Sequence, residues 1–177
     1  VEKCKFSDIY DSGVTFQGLS AKVNGFTARS NVFDKCGLAS FEYWLGTAGY
    51  AENITVENNY MSNAGGGFGG IGKRSINAKY VSHIRADGAN RISNFIIRSN
   101  VLDSAADGAC LAALCCYKSS GGSLPTLFRN IYIRKSGEWL LSVKTESAAD
   151  AAVFSTDATG IDYLKQSFDN KPIVILR

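Results

Sequence analysis

The sequence is poor in several things, and each scarcity excludes something. Among 177 residues there are 2 prolines, 1 histidine and 1 methionine. A single histidine, His83, rules out a multi-histidine metal centre and leaves a Ser-His-Asp triad little to stand on. The five cysteines, Cys4, Cys36, Cys110, Cys115 and Cys116, are odd in number, include one vicinal pair and form no C-x-x-C. They do not make a disulfide framework, a zinc ribbon or a redox motif, and read as small buried apolar groups. No apolar run approaches the roughly eighteen residues that a membrane-spanning helix needs. Lys and Arg total 19 against 16 for Asp and Glu, a net charge of +3 with no block of like charge. Nucleic-acid binding therefore gains no support. A 45% hydrophobic and 20% charged composition excludes a disordered tail, and 177 residues suffice for one domain with a sizeable core.

What is abundant is glycine, at 18 residues, together with recurrent asparagine. Four segments align: Val1-Glu-Lys-Cys4-Lys-Phe6, Ala28-Arg-Ser-Asn31-Val-Phe33, Val56-Glu-Asn-Asn59-Tyr-Met61 and Ile97-Arg-Ser-Asn100-Val-Leu102. A degenerate fifth copy reads Ile133-Arg-Lys-Ser136-Gly137. Each has an apolar residue three before the marker, and a glycine follows at Gly13, Gly37, Gly65, Gly108 or Gly137. The markers are spaced by 27, 28, 41 and 36 residues.

Alternation before the marker reads as a short strand buried on one face. The marker suits a residue that tolerates the left-handed region and bonds locally, which favours Asn. A second strand, a glycine turn and a third run such as 38–44 or 109–116 complete the unit. Three short strands per repeat predict an all-β, right-handed parallel β-helix of about five coils, with marker asparagines stacked into a ladder. The competing antiparallel sandwich would want Asn-Gly or Asp-Gly hairpins every 8–12 residues or so. Asn24-Gly25, Asp87-Gly88 and Asp107-Gly108 do not recur with that period.

The coils are expected over residues 1–146, with an insertion at 73–91 and a Ser/Gly-rich surface loop at 117–127. Residues 147–177 drop the marker and read as an irregular C-terminal cap, with a short helix at 161–168 and a closing strand at 172–176. The open N-terminal end calls for upstream β-helix sequence or a homo-oligomer to cover unpaired strand edges.

This coil pattern resembles the right-handed parallel β-helix repeat of pectate lyases, polygalacturonases, other polysaccharide-active enzymes and phage tailspikes. The stretch Phe41-Glu42-Tyr43-Trp44, followed by Asn53-Ile-Thr-Val-Glu-Asn-Asn59 and Ala64-Gly-Gly-Gly-Phe-Gly69, is similar to secreted glycan-degrading β-helix proteins of gut Bacteroidota. The resemblance implies polysaccharide or oligosaccharide as partner, no membrane span, and a secreted, periplasmic or cell-surface location in a bacterium or phage. No complete catalytic motif accompanies it. Phe68 stands where the polygalacturonase Gly-His-Gly would have its histidine, and the aspartates and arginine of a pectate lyase are not recognisable.

Candidate chemistry gathers near the third strand of a coil. Glu42 and Trp44 share a parity opposite to Phe41 and Tyr43, and a carboxylate beside an aromatic suits a sugar site. A hydrolase needs a second carboxylate, and Asp87 and Asp107 are the partners on offer, although both precede glycine and also read as turn residues. Trp44, Tyr43, Lys73, Arg74, His83 and Arg85 are the expected substrate contacts. The cations would serve a lyase acting on a uronic-acid polymer, with calcium as its one conceivable cofactor; otherwise no cofactor and no metal site is expected. The run from Gly65 to Lys73 matches phosphate-loop patterns only because it is so rich in glycine. Asn53-Ile54-Thr55 is a glycosylation sequon in a eukaryotic secretory setting. Polysaccharide hydrolysis is the leading expectation, followed by a lyase and by a non-catalytic glycan-binding or structural β-helix.

Overall fold

Two-residue alternation with few prolines makes strands. The computed structural model describes residues 1–18, 20–45, 48–64, 82–87, 91–103, 112–118, 126–133, 139–145, 161–163 and 174–176. Every regular element among them is a β-strand. The first circuit of the chain comprises β1 (Lys5–Ile9), β2 (Val14–Gly18) and β3 (Lys22–Arg29). The second comprises β4 (Val32–Cys36), β5 (Ala39–Leu45) and β6 (Tyr50–Glu57). The third comprises β7 (Tyr60–Ser62), β8 (Ser82–Asp87) and β9 (Arg91–Arg98). The fourth comprises β10 (Val101–Asp103), β11 (Ala112–Lys118) and β12 (Thr126–Phe128). Then follow β13 (Asn130–Ile133), β14 (Trp139–Thr145), β15 (Ile161–Tyr163) and β16 (Val174–Leu176).

Strands of successive circuits lie side by side. Sheet 1 has the order β1-β4-β7-β10-β13-β15, sheet 2 β2-β5-β8-β11-β14-β16, and sheet 3 β3-β6-β9-β12. All pairings among the described residues are parallel, which excludes the antiparallel sandwich and is consistent with a parallel β-helix. The inward rows are apolar: Phe33, Met61 and Leu102 from sheet 1, Phe41, Tyr43, Leu45 and Ile84 from sheet 2, Ile54, Val56, Phe95 and Ile97 from sheet 3. Aromatic rings run through the core, with Phe6 stacked on Phe33 at 4.9 Å and Phe16 edge-on to Phe26 at 4.5 Å.

The corner between sheets 3 and 1 holds the asparagine ladder. Asn31 Nδ2 donates to Asn59 Oδ1 at 3.0 Å, Asn59 to Asn100 at 3.0 Å, and Asn100 to Asn130 at 2.9 Å. The backbone N–H of each of these donors reaches the same oxygen. The second amide hydrogen goes back to a carbonyl of the preceding circuit: from Asn31 to Val1, Asn59 to Ala28, Asn100 to Val56 and Asn130 to Ile97. At Asn59 and Asn100 both oxygen lone pairs and both amide hydrogens are thus used, which only a primary amide of this length can do. These side chains are at most 2% exposed, so leaving any of those groups unpaired would be costly.

Two expectations change here. The fifth marker is Asn130, not Ser136: Leu127 stands three before it and Tyr132 two after it, and the interval from Asn100 shortens to coil length. The left-handed residue is not the marker but the one preceding it. Lys3, Ser30, Asn58, Ser99 and Arg129 all have φ between 51° and 56°. The bend comes one residue early, and the marker itself is chosen for its amide.

The long interval is also placed differently. Ser82–Asp87, expected inside the insertion, is the sheet-2 strand of its circuit, and Arg91 begins β9. The surplus residues therefore precede Ser82. Ile161–Tyr163, where a helix was expected, pairs with β13 as a strand, which gives its backbone groups partners on a sheet edge. Val174–Leu176 falls within the expected closing strand and pairs with β14. Residues 164–173, most of the 117–127 loop and residues 73–81 lie outside the described residues.

Removing one rung tests the ladder. Asn59→Ala should lower unfolding stability by about 3 kcal/mol, because it strands buried groups of Asn31 and Asn100. Cys4, whose backbone alone donates to Asn31 Oδ1 at 3.0 Å, leaves one lone pair of that oxygen unused by the ladder. Cys4→Asn should add about 1 kcal/mol by extending the ladder. Denaturant titration reads both, and a parent-like Asn59→Ala would deny the ladder its structural part.

Candidate functional site

On β2, Val14 and Phe16 pack toward the core, which leaves Thr15 and Gln17 on the outer face of sheet 2. On β5, Phe41, Tyr43 and Leu45 are inward, and Ser40 and Glu42 alternate with them. Parallel register then sets two rows of partners across the strands of sheet 2. One runs Thr15, Glu42, Arg85 and the next Gln17, Trp44, Asp87.

Glu42 is on the expected face but is not open to water, being 1% exposed. Its Oε2 accepts from Ser12 Oγ at 2.8 Å, Thr15 Oγ1 at 3.2 Å and Gln17 Nε2 at 3.3 Å. Three neutral donors on one carboxylate oxygen make charge-assisted bonds that offset the burial of the group. Ser12 is brought there by a tight corner. At Gly13 a β-carbon would stand 2.7 Å from the Phe33 ring and 2.8 Å from the Ser40 carbonyl, so no side chain fits.

Tyr43 is corrected from substrate contact to core residue. It is 1% exposed and meets Phe95 edge-on at 5.6 Å, because it shares the inward parity of Phe41. Arg85 is the register partner of Glu42, and Asp87 that of Trp44. Glu42 and Asp87 are therefore diagonal neighbours, with α-carbons roughly 8 Å apart from the strand spacing and the rise over two residues. His83 lies on β8. The side chains of Trp44, His83, Arg85 and Asp87 lie outside the described residues, as do Lys73, Arg74 and Asp107 altogether. Among the described residues no three of His, Cys, Asp and Glu are placed to hold a metal ion. No described helix is long and apolar enough to cross a membrane.

A second polar group, missed in the sequence, lies on the outer face of sheet 1. Asp34 Oδ1 accepts from Ser62 Oγ at 2.9 Å and Asn63 Nδ2 at 2.7 Å, and Tyr60 donates its hydroxyl to Asp103 Oδ2 at 2.7 Å. The signal was present in the repeat. Positions one and three after each marker are outward, and they read Val32 and Asp34, Tyr60 and Ser62, Val101 and Asp103. Hydrogen bonds from Asn63 and Ser62, with Lys35 and Lys5 nearby, hold the Asp34 carboxyl below its ordinary range. The bond to Asp103, with partial burial, raises the Tyr60 hydroxyl. Burial first, and then the Asp34 charge, push the Cys36 thiol up to about 12, which suits a packing group and not a nucleophile.

No family model, curated protein or solved structure matches this chain.

Two outcomes follow from this geometry. Glu42→Leu should cost about 2 to 3 kcal/mol by leaving donors without an acceptor, and Glu42→Gln less, as the amide oxygen still accepts. Unfolding curves that do not separate the two would deny the carboxylate its anchoring part. Because the folded pKa of Asp34 is depressed, its contribution is complete above the unfolded aspartate value of about 4 and fades as pH falls through the lower folded value. Asp34→Asn should flatten the acid limb of stability below about pH 4, while its offset from the parent stays constant between about pH 6 and 8.

Proposed function

We propose that the chain is a right-handed parallel β-helix of about five coils that engages polysaccharide on the outer face of sheet 2, and that it holds glycan without cleaving it through Glu42. The observation that carries this reading is the state of Glu42. A buried carboxylate with three donors on one oxygen is an anchor for β2, Ser12 and β5, and it is not poised to exchange protons with a substrate. The neighbouring row of Gln17, Trp44 and Asp87 offers an amide, an indole and a carboxylate at one strand spacing. That mixture suits a pyranose ring, with its apolar face on the aromatic and its hydroxyls on the polar groups. Glycan of this kind lies outside the cytoplasm, which agrees with a secreted or cell-surface setting.

Hydrolysis remains the second reading, and the diagonal relation of Glu42 and Asp87 favours it. Their α-carbons are roughly 8 Å apart, which puts Asp87 at a neighbouring position to Glu42 on the next strand, and an inverting pair needs carboxyl groups about 6.5–9.5 Å apart. The lyase reading rests on Lys73, Arg74 and Arg85, of which Lys73, Arg74 and the side chain of Arg85 lie outside the described residues.

A polysaccharide panel decides between them, with retention on immobilised glycan read beside reducing ends and unsaturated products, with and without calcium. Retention that falls at least tenfold in Trp44→Ala, without product, is expected. Reducing ends abolished by both Glu42→Gln and Asp87→Asn in folded protein would overturn the binding reading in favour of hydrolysis. Calcium-dependent unsaturated product would overturn it in favour of elimination.

A further inference from the structure

The outer face of sheet 1 carries features that the stack does not require. Val32 and Tyr60 are register partners on adjacent strands, and each is 40% exposed. They are two of the four large apolar side chains left exposed among the described residues. Val101, half-buried, continues the same row on β10, and Lys5 precedes it on β1. The parallel row two residues on is polar: Ser7, Asp34, Ser62 and Asp103. The row Val32, Tyr60 and Val101 thus runs beside a polar row in which the carboxylates of Asp34 and Asp103 flank the buried Ser62, both at the strand spacing.

Tyr60 stands between the two carboxylates and is held by one of them. Its hydroxyl donates to Asp103 Oδ2, which orients the ring toward β10. Asp34 is held in turn by Ser62 and Asn63, both on Oδ1. Among the described residues Asp34 Oδ2 and Asp103 Oδ1 take no hydrogen bond. These two carboxylates are two strands apart, roughly 10 Å between α-carbons, with the Tyr60 strand between them. Each therefore keeps one acceptor atom free on either side of an oriented aromatic ring.

We propose that this face is a second, separate carbohydrate-binding site, in which a pyranose ring of a neutral oligosaccharide packs on Tyr60 and Val32 and donates its hydroxyls to Asp34 and Asp103. A neutral ligand rich in hydroxyl donors fits better than a cation. Lys5 and Lys35 lie close enough to act on Asp34, so the charge of that carboxylate is already partly balanced. It fits better than an anion because the uncommitted atoms are carboxylate oxygens, which accept only. An aromatic platform fixed by a hydrogen bond loses little freedom on binding, which favours recognition of a weakly held sugar. The site shares no residue with the outer face of sheet 2, and its success or failure is independent of the function proposed there.

The test is saturation-transfer NMR and titration of the whole chain with neutral gluco-, galacto- and manno-oligosaccharides. Saturable binding by at least one series is expected, weakened at least tenfold in Tyr60→Ala and about threefold in Tyr60→Phe, which keeps the ring and frees Asp103. Asp34→Asn should weaken it by a similar small factor with the fold intact, and the tenfold loss in Tyr60→Ala should be just as large when measured in a Trp44→Ala background. The circular dichroism spectrum of Tyr60→Ala should match the parent, since Tyr60 lies outside the core, with a melting temperature lowered by no more than a few degrees for the lost bond to Asp103. Binding that is indifferent to Tyr60→Ala but lost in Trp44→Ala would assign all recognition to sheet 2 and overturn the proposal. No saturation with any neutral series would overturn it, as would preferential binding of oligolysine to this face.

Discussion

One constraint governs this molecule: each strand lies beside its own equivalent from the next circuit, in parallel register, at a single strand spacing of about 4.8 Å. Every side chain therefore meets, above and below, the residue in the same position of the repeat. Rows must be compatible with themselves. Apolar groups satisfy this without effort, and the core rows are built of them. A row of like charges does not, and a slip of one residue would turn every core row outward.

Amides satisfy the constraint best, because a primary amide is both donor and acceptor and can bond to its own copy. The chain uses this twice. The buried ladder runs from Asn31 through Asn59 and Asn100 to Asn130, each donating to its successor. On sheet 3 a second, exposed ladder runs the other way: Asn94 donates to its equivalent Asn53 at 2.7 Å, and Asn53, opposite Gly25, donates diagonally to Asn24 at 2.8 Å. Asn53 and Asn94 share the left-handed conformation of Gly25, so Asn24-Gly25 is a step within a strand and not a hairpin turn. Charge meets the same constraint by alternating. Glu2, Arg29, Glu57 and Arg98 form one column, with Arg29 on Glu2 at 2.9 Å and Arg98 on Glu57 at 2.6 Å. Exposed pairs contribute little stability each. Their value here is that a slip of register would separate each pair, and between β6 and β9 would set its charges against neutral neighbours.

The parallel strands and the ladder were legible because a self-compatible row leaves a periodic mark, and asparagine at 31, 59 and 100 was that mark. The fifth rung was misread because Ser136 had the expected company of apolar and glycine residues, whereas only an amide completes the bonding that Asn130 provides. The left-handed position was misassigned by one residue because Lys3, Ser30, Ser99 and Arg129 carry no common chemistry there. Tyr43 and Glu42 show the limit of parity. It sorted them correctly onto two faces, but whether an outer face is open depends on what covers it, and periodicity holds no information about that. The acids and tyrosine of sheet 1 were legible in principle, from the same spacing that located the markers.

Function is best sought where rows break the rule of self-compatibility without the stack requiring it. Core rows and the buried ladder are fixed by folding, and their residues say little about chemistry. The Glu2–Arg98 column is heterogeneous but is explained by charge alternation. Glu42 is heterogeneous too, yet its three donors give it a structural reason to be where it is. In the row Lys5, Val32, Tyr60 and Val101 and the row Ser7, Asp34, Ser62 and Asp103, the bonds of Asp34 to Ser62 and Asn63 and of Tyr60 to Asp103 tie side chains to one another but give no reason for an exposed aromatic ring beside them. A solvent-facing stack would be served as well by threonine or lysine at most of these positions, since exposed outer rows face little more than water. An aromatic ring left exposed, fixed by one carboxylate and flanked by another, is an arrangement that stacking does not account for.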